Sequence, residues 1–401
     1  MAERRVDRLD ALTSLRFVAA AMIVVNHVRG YFGIPSIWGD PFPYQQGVTA
    51  FFVLSGFILT YVYPSLSWQA TPRFWWARIA RIWPAHVVGL LLFIALMAPR
   101  GMPASNTVQT GLANVLLVHA WIPIVDYFGS FNAPAWSVST ELGFYLLFPL
   151  LLVNFRRTWA WKLGLALVLL LVLGYVGNAI PRLPLLKANR IDVYGFVYVS
   201  PLGRLFEFVL GMCTCLLWQR IRTSSRLSTL WCTVGELAAV GLTILLLYTL
   251  GANGARWTAW LGDAGHIWLV HGGGGAPGFA AVILMVALGR GVLARLLRFP
   301  VLVILGEVSY SVYLVHQTLI KVAISDPWFV TLPTRIALPV FCAVTLALAF
   351  TIWLLVERPA RRLLVGLVGG SATQPGATVT VPLHESLPEA EPQPAAASPS
   401  P

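Results

Sequence analysis

Long apolar runs separated by short polar segments dominate this chain. A helix needs about twenty mainly apolar residues to cross the hydrocarbon core of a bilayer, and the pattern predicts ten such helices. They are predicted at residues 11–29, 47–64, 83–99, 137–155, 163–180, 201–218, 230–250, 275–290, 299–320 and 334–356. The expected fold class is therefore all-α, a polytopic membrane helix bundle. A further apolar segment, 107–125, is assigned to an outer loop, where a re-entrant and an interfacial placement both stay open.

The positive charges test this topology, because short cytoplasmic loops carry an excess of Lys and Arg. With both termini in the cytoplasm, the cytoplasmic segments contain eighteen of the 28 Lys and Arg residues. These are Arg4, Arg5, Arg8, Arg73, Arg78, Arg81, Arg156, Arg157, Lys162, Arg220, Arg222, Arg226, Arg290, Arg295, Arg298, Arg358, Arg361 and Arg362. The opposite side and its borders hold eight, and Arg16 and Arg204 lie inside spans. Ten spans with cytoplasmic N- and C-termini is the favoured topology.

The chain is expected to consist of three parts. Residues 1–10 form a cytoplasmic N-terminus, 11–365 the transmembrane domain, and 366–401 a tail rich in Pro, Ala, Ser and Glu. Such a composition has little to bury, so the tail is predicted to be disordered and cytoplasmic. The first 29 residues share the basic flank of a signal peptide. Their apolar core is short, however, and is followed by Asn26 and His27, which favours an uncleaved first span.

Composition excludes a soluble protein. Hydrophobic residues make up 57% of the chain and charged residues 11%, against roughly 45–50% and about 25% in ordinary soluble domains. The net charge of +12 is spread along the loops without an aromatic and basic recognition module, so nucleic-acid binding is not expected. The four cysteines show neither CxxC nor Cys/His spacing, so no disulfide framework and no metal site are predicted.

Arg16 and His27 are polar residues within the first span. They are eleven positions apart, which is about 20° past three full turns, so they share one helix face about 16 Å apart along the axis. With the N-terminus inside, the guanidinium lies near the cytoplasmic end and the imidazole towards the outer end. Titratable groups inside a span usually face a cavity or pathway. The alternative is that Arg16 reaches the cytoplasmic surface and His27 is interfacial.

Glu141 and His316 fall in the outer half of the predicted bundle, at a depth similar to that of His27. Glu141 begins the fourth span just after Trp136 and Ser137. A carboxylate and imidazoles at one depth can form a general acid–base site for a hydroxyl acceptor, because a neutral histidine can take the hydroxyl proton. A structural His–Glu pair between helices is the alternative interpretation.

Arg78 and Arg81 lie one turn apart on the cytoplasmic side of the third predicted span. Two arginines at positions i and i+3 share a helix face and can hold phosphate groups. Together with Arg16 they would bind an anionic donor from the cytoplasm. The alternative is a positive-inside anchor beside interfacial tryptophans.

Two glycine features are interpreted structurally. His271 is followed by four glycines, as in the oxyanion loop of lipases, but the chain has no G-x-S-x-G elbow. A flexible outer loop is therefore predicted there. Gly56, after Ser55 in the second span, is expected to allow close helix packing rather than to support nucleophilic attack by the serine.

Seven segments, in this order and spacing, resemble the acyltransferase-3 family of integral membrane O-acyltransferases. From the first to the last, they span about 350 residues of the chain. The segments are LTSLRFVAAAMIVVNH (12–27), FFVLSGF (51–57), RIARIWP (78–84), WSVSTELGFYLLFP (136–149), RLFEFVLGM (204–212), SYSVYLVH (309–316) and VERPARR (356–362).

The resemblance implies transfer of an acyl group, usually acetyl, from cytoplasmic acyl-CoA to a hydroxyl in a bacterial inner membrane. The acceptor in such enzymes is commonly a surface glycan or its lipid-linked precursor, and some members acylate lipids, peptidoglycan, nodulation signals or macrolides. Arg16 and His27 match the family's essential Arg and His. Arg78 and Arg81 match its cytoplasmic R-x-x-R, and Glu141 matches the glutamate of the W-S-x-x-x-E segment.

This sequence departs from the family pattern in two places. Thr49 stands where many members have Asp before the FFVLSGF segment, so any role of that carboxylate is missing here. An appended SGNH hydrolase-like domain is also not seen. We therefore expect the membrane domain itself, or a partner, to complete the transfer to the acceptor.

The sequence thus predicts a cavity with a cationic cytoplasmic mouth and a His/Glu site nearer the outer leaflet. Arg16, Arg78 and Arg81 would bind the phosphates of acyl-CoA, and His27, assisted by Glu141, would deprotonate the acceptor. Four further residues are assigned to the substrate pocket: His316, Trp136, Ser137 and Arg204. Direct transfer and a covalent acyl-enzyme both stay open. The alternatives are a small hydrophobic acceptor such as a macrolide, a glycan transporter or flippase, and a scaffold subunit.

Overall fold

The computed structural model describes residues 9–180, 183–224 and 228–367. Within these ranges the fold is helical, and one isolated β-bridge joins Ile124 to Ile191. The α-helices are α1 (Asp10–Phe32), α2 (Gly47–Val62), α3 (Thr71–Met97), α4 (Val108–Val115), α5 (Val125–Phe128), α6 (Trp136–Leu152), α7 (Phe155–Ala179), α8 (Leu205–Ile221), α9 (Thr229–Ala252), α10 (Gly254–His266), α11 (Ala276–Leu288), α12 (Val292–Leu297), α13 (Pro300–Ser325), α14 (Pro327–Val330), α15 (Thr334–Ile352) and α16 (Arg358–Leu367). π-Helical turns occupy Tyr194–Val199, Ile267–His271 and Trp353–Glu357.

The chain is a multi-pass membrane protein. Eight helical segments in the described ranges are long and apolar enough to cross a bilayer. They are Asp10–Phe32, Tyr44–Val62, Trp68–Arg100, Ala133–Leu152, Phe155–Ala179, Thr229–Ala252, Pro300–Ser325 and Thr334–Leu367. A ninth results if Gly254–His271 and Gly273–Leu288, which are bent by 60°, form one broken span.

Each of the ten predicted spans corresponds to a helix. α2 and α6 reach membrane-spanning length only together with the 3-10 turn that precedes each, whereas α8 and α11 do not count as spans by themselves. The 17 residues of α8 extend about 26 Å, less than the roughly 30 Å of a hydrocarbon core. The 13 residues of α11 qualify only as the second arm of the bent pair. The number ten and the cytoplasmic termini stay predictions. The predicted tail lies outside the described residues, apart from its first two residues, which end α16.

Glycines allow α2 and α8 to cross in close contact. A Cβ added at Gly56 would lie 2.0 Å from the carbonyl oxygen of Phe208, and one at Gly211 would lie 1.9 Å from that of Val53. Real side chains cannot occupy such positions, so the two backbones touch. The predicted packing role of Gly56 is confirmed, and the contact holds α2 beside the aromatic core.

That aromatic core joins α2, α6 and α8. The ring of Phe144 lies against Phe52 with centroids 5.0 Å apart and against Phe208 at 4.9 Å. Phe144 and Phe208 are fully buried. Because these large rings fix the spacing of the three helices, they also fix the face of α2 that carries Ser55 and the face of α6 that carries Glu141.

The segment after His271 differs from the predicted outer loop. Gly273 and Gly275 are buried, and the chain there forms a tight bend between α10 and α11. The Gln46 side chain donates to the carbonyl oxygens of Leu269 and Val270, at 2.8 and 3.1 Å. The absence of side chains at the glycines lets the backbone approach its neighbours, so this segment is a packed helical bend rather than a solvent-facing loop.

Candidate active site

A cavity of about 80 Å³ lies among α1, α2, α3, α6 and α13. Its lining includes five of the residues singled out in the sequence: Arg16, Arg78, Arg81, Ser137 and Glu141. One face of α2 supplies an apolar wall made of Val48, Phe51, Phe52, Leu54, Ile58 and Leu59. The rest of the lining is mainly hydroxyl-bearing: Ser55, Tyr145, Tyr310 and Tyr313. Five helices from distant parts of the chain thus enclose a space that is cationic on one side and apolar on another.

Arginines and carboxylates are clustered around this cavity. Arg16 interacts electrostatically with Arg81 and with the carboxylates of Glu141 and Glu357. Arg361, at the first turn of α16, faces the same group and interacts with Arg78 and Arg81. In the described part of the chain this cluster contains four guanidinium groups and two carboxylates. The excess of positive charge, in a partly buried site, favours an anionic ligand.

Arg78 is held against aromatic rings. Its guanidinium carbon lies 5.6 Å from the ring centre of Tyr63 and 5.9 Å from that of Phe74. One terminal nitrogen donates to the Tyr63 hydroxyl at 3.4 Å, while the buried Nε has no hydrogen-bond partner among the described residues. A buried donor without an acceptor is costly, so Arg78 is positioned to bind an additional oxygen ligand.

Two hydroxyl groups orient Glu141. Ser55 donates to Glu141 Oε1 at 3.0 Å, and Tyr145, one turn further along α6, donates to the same oxygen at 2.6 Å. Ser137, one turn before Glu141, shares a hydrogen bond of 2.7 Å with the Tyr313 hydroxyl. α6 therefore presents a line of polar groups to the cavity, with the carboxylate at its centre.

His27 and His316 form a pair on α1 and α13. His27 Nδ1 lies 2.8 Å from His316 Nε2, and the rings are almost parallel, with centroids 5.1 Å apart. His316 is fully buried and His27 is half-buried. The residues that line the cavity in the described ranges include neither imidazole. Among the described residues no hydrogen bond joins His27 to Glu141, so the predicted assistance has no direct contact.

Arg204 lies in a separate buried cluster. Its Nε donates to Glu207, one terminal nitrogen donates to Thr49 Oγ1 at 2.8 Å, and the other donates to the Tyr198 carbonyl oxygen at 3.0 Å. The guanidinium also stands over the rings of Phe52, Tyr198 and Trp136. Arg204 and Trp136 are thus neighbours, but neither is part of the described cavity lining. Their assignment to the substrate pocket stays a prediction.

Comparison with known proteins identifies the family. A family profile described as an acyltransferase domain matches residues 9–354. The chain belongs to the acyltransferase-3 family. It is therefore an acyltransferase, and the family favours this activity over the transporter and scaffold alternatives.

Several curated proteins are similar to this acyltransferase. Acyltransferase MdmB of Streptomyces mycarofaciens is 29% identical over 344 residues, which are 79% of this chain and 80% of that protein. Nodulation protein 10 of Rhizobium leguminosarum bv. viciae is 26% identical, over 88% of this chain and 94% of its own length. SACOL0978 of Staphylococcus aureus strain COL, provisionally assigned as an O-acetyltransferase, is 24% identical over 79% of this chain and 52% of its own. No solved structure gives a significant match.

Four residues in the lining of the acyltransferase cavity or in the charged cluster beside it were not assigned to the site from the sequence. Ser55 and Tyr145 bind Glu141, while Glu357 and Arg361 extend the charged cluster at its other end. Glu357 accepts a hydrogen bond of 3.0 Å from Ser311 on α13. Some signal was available, because Tyr145 is four residues from Glu141 on one helix face and Glu357 and Arg361 lie in the matched VERPARR segment.

Proposed function

We propose that this acyltransferase moves an acyl group, with acetyl as the preferred group, from cytoplasmic acyl-CoA to a hydroxyl of an exported glycan or glycolipid. The proposed location is a bacterial inner membrane. The observation that carries the proposal is the cavity whose lining joins Arg16, Arg78 and Arg81 to an apolar wall and a carboxylate. The name of acyltransferase MdmB supports acyl transfer, and the name O-acetyltransferase of SACOL0978 supports the acetyl group.

The chemistry of the cavity fits an acyl-CoA thioester as donor substrate. Guanidinium groups bind phosphate oxygens through parallel N–H donors, which suits the arginine cluster to the anionic part of CoA. The apolar residues on α2 suit the thioester end and a short acyl chain. The residues that would hold the donor are thus Arg16, Arg78, Arg81 and Arg361, with α2 forming the opposite wall.

The proposed reaction requires a base for the acceptor hydroxyl, and His27 is the candidate. Its imidazole takes the hydroxyl proton while the oxygen attacks the thioester carbonyl carbon. Glu141 acts at a distance from this step, as the counter-charge of Arg16. Holding both substrates in one site would supply much of the rate acceleration, because it removes the entropy cost of bringing them together.

A binding measurement tests the donor assignment. The purified protein in lipid nanodiscs is titrated with radiolabelled acetyl-CoA, and unlabelled CoA should displace the label. Arg78→Gln and Arg81→Gln should each weaken binding by about tenfold or more, since each removes a charge-assisted contact. Arg157→Gln is the matched control, because Arg157 is exposed and is not part of the cavity lining. Unchanged affinity in both cavity variants would contradict the proposal.

A further inference from the structure

A chain of hydrogen bonds leads from a backbone carbonyl to His27. His316 Nδ1 lies 2.7 Å from the carbonyl oxygen of Tyr313, and His316 Nε2 lies 2.8 Å from His27 Nδ1. Tyr313 and His316 are three residues apart on α13, so this carbonyl belongs to the preceding turn of the same helix. The chain therefore connects a fixed backbone group to the imidazole that the proposed function uses.

The carbonyl determines where each proton lies. A carbonyl oxygen can only accept, so His316 Nδ1 must carry hydrogen and donate it. His316 is fully buried and its described partners include no carboxylate, which favours a neutral ring with a single N–H. Its Nε2 is then an acceptor, so His27 Nδ1 must be the donor. In a neutral His27, the lone pair is consequently on Nε2.

The packing of α1 on α13 keeps the two rings in register. A Cβ added at Gly306 on α13 would lie 2.1 Å from the carbonyl oxygen of Thr13 on α1, so the two backbones touch near the start of α13. The two rings are inclined by 13° to each other. A rotation of the His27 ring that exchanged Nδ1 and Nε2 would break the hydrogen bond to His316.

We infer that His316 is a positioning residue, which holds His27 as the Nδ1–H tautomer with Nε2 free to accept a proton. The inference rests on the proposed role of His27 as base. It assigns His316 a role in orienting the base, in place of the substrate contact predicted from the sequence. An acceptor hydroxyl would then have to approach the Nε2 side of the ring.

The proton and bond changes balance with this arrangement. The acceptor O–H proton moves to His27 Nε2 as the C–O bond of the new ester forms. The C–S bond breaks, and the thiolate of CoA takes the proton from Nε2, which restores neutral His27. Throughout, the Nδ1–H of His27 donates to the lone pair of His316 Nε2, which stabilises the imidazolium present between the two proton transfers.

Two substitutions of His316 distinguish its positioning role from the space that its side chain fills. His316→Leu removes the acceptor for His27 Nδ1, whereas His316→Gln keeps an oxygen that can accept at a similar distance. Turnover is followed as CoA release from radiolabelled acetyl-CoA in the presence of an envelope extract from the cells that encode the protein. We expect kcat to fall by about 100-fold in His316→Leu, with the KM for acetyl-CoA unchanged, and to recover to within about tenfold of wild type in His316→Gln.

The outcomes also separate this inference from the proposed function. If His27→Ala keeps wild-type activity, the proposed base is wrong. If His27→Ala is inactive while His316→Leu keeps wild-type kcat, only the positioning role is overturned. The positioning role would also be overturned if His316→Leu and His316→Gln lost equal amounts of kcat. The same holds if the activity of His316→Leu recovered when the concentration of extract was raised.

A spectroscopic measurement reports the tautomer directly. The protein is labelled with ¹⁵N-histidine, and the His27 signals are assigned by their loss in His27→Asn. We expect a protonated Nδ1 and an unprotonated Nε2 in the wild type and in His316→Gln, and a mixture of tautomers in His316→Leu. A protonated Nε2 in the wild type would overturn the inference.

Discussion

Tyr145 donates its hydroxyl hydrogen to Glu141 Oε1 across 2.6 Å, one turn along the same helix. Ser55 donates to the same oxygen from α2, and Arg16 interacts with this carboxylate from α1. Glu141 therefore joins three helices at the cavity wall. Its described contacts make it a counter-charge of Arg16, and His27 has a different partner.

Removing the charge of Glu141 should lower activity more than removing one of its donors. We expect Glu141→Gln to reduce kcat/KM by at least tenfold, because Arg16 loses a counter-charge. Tyr145→Phe, which loses one hydrogen bond to a charged group, should reduce it by about fivefold. Tyr145→Phe should cost less in the Glu141→Gln background than in the wild type, since the hydrogen bond is then made to a neutral amide oxygen. Additive losses in this cycle would contradict the account.

Arg361 should contribute to donor binding although it lies far from the R-x-x-R segment in sequence. Arg361→Gln is expected to raise the KM for acetyl-CoA by about five- to tenfold, since it removes positive charge beside Arg78 and Arg81. The adjacent and exposed Arg362 provides the matched control, and Arg362→Gln should change KM by less than about twofold. Equal effects of the two substitutions would show a diffuse surface charge rather than a specific site.

Asp192 should make the stability of residues 191–199 depend on pH. It lies outside the candidate spans, where its carboxylate accepts from the backbone N–H of Gly195 at 2.7 Å and of Val125 at 3.2 Å. Burial raises the pKa of Asp192 from 3.8 to about 6. The folded carboxyl thus keeps its proton to a higher pH than the unfolded one. The contribution of Asp192 to stability therefore falls as the pH rises from 3.8 to about 6 and does not change further above that pH.

Hydrogen exchange of residues 191–199 checks this prediction. After correction for the intrinsic rates, protection should decrease between pH 4 and pH 6 in the wild type. Asp192→Asn has no carboxyl to titrate and should show no such change. A rise in protection over the same interval in the wild type would mean that the pKa of Asp192 is shifted in the opposite direction.

The contact between α2 and α8 should not tolerate even one methyl group at Gly56. Because a Cβ there would overlap the Phe208 carbonyl oxygen, Gly56→Ala should force the helices apart and lower the thermal unfolding temperature and the yield of folded protein. Gly241→Ala on α9 is the matched control, because nothing lies within 4 Å of its added Cβ. Equal unfolding temperatures of the two variants would contradict the packing described for α2 and α8.

Much of the fold and one side of the site could be predicted from the sequence, because the relevant signals are local. Apolar runs of membrane-spanning length indicated the helices, and helical spacing placed Arg78 beside Arg81. The lengths of α8 and α11 could not be predicted as well from the sequence. In both cases apolar sequence precedes the first residue of the α-helix, so hydrophobicity alone does not mark where the helix begins.

The partners of His27 and Glu141 could not be predicted in the same way. His27 and His316 are 289 residues apart, and similar depth in the bilayer allows pairing with either Glu141 or His316. Only the packing of α1 against α13 decides between them. Likewise, the glycines after His271 become buried because Gln46 and Thr49 bind the carbonyl oxygens of that bend, which no periodicity indicates.

The central claim is that His27 transfers the proton in an acyl-CoA-dependent O-acylation. The most direct test supplies radiolabelled acetyl-CoA and an envelope extract to the purified protein in nanodiscs, and measures label in base-labile ester products. The wild type should form labelled ester. His27→Ala should bind acetyl-CoA with unchanged affinity, but its rate of ester formation should be at least about 100-fold lower than that of the wild type. Ester formation by His27→Ala at the wild-type rate would contradict the account.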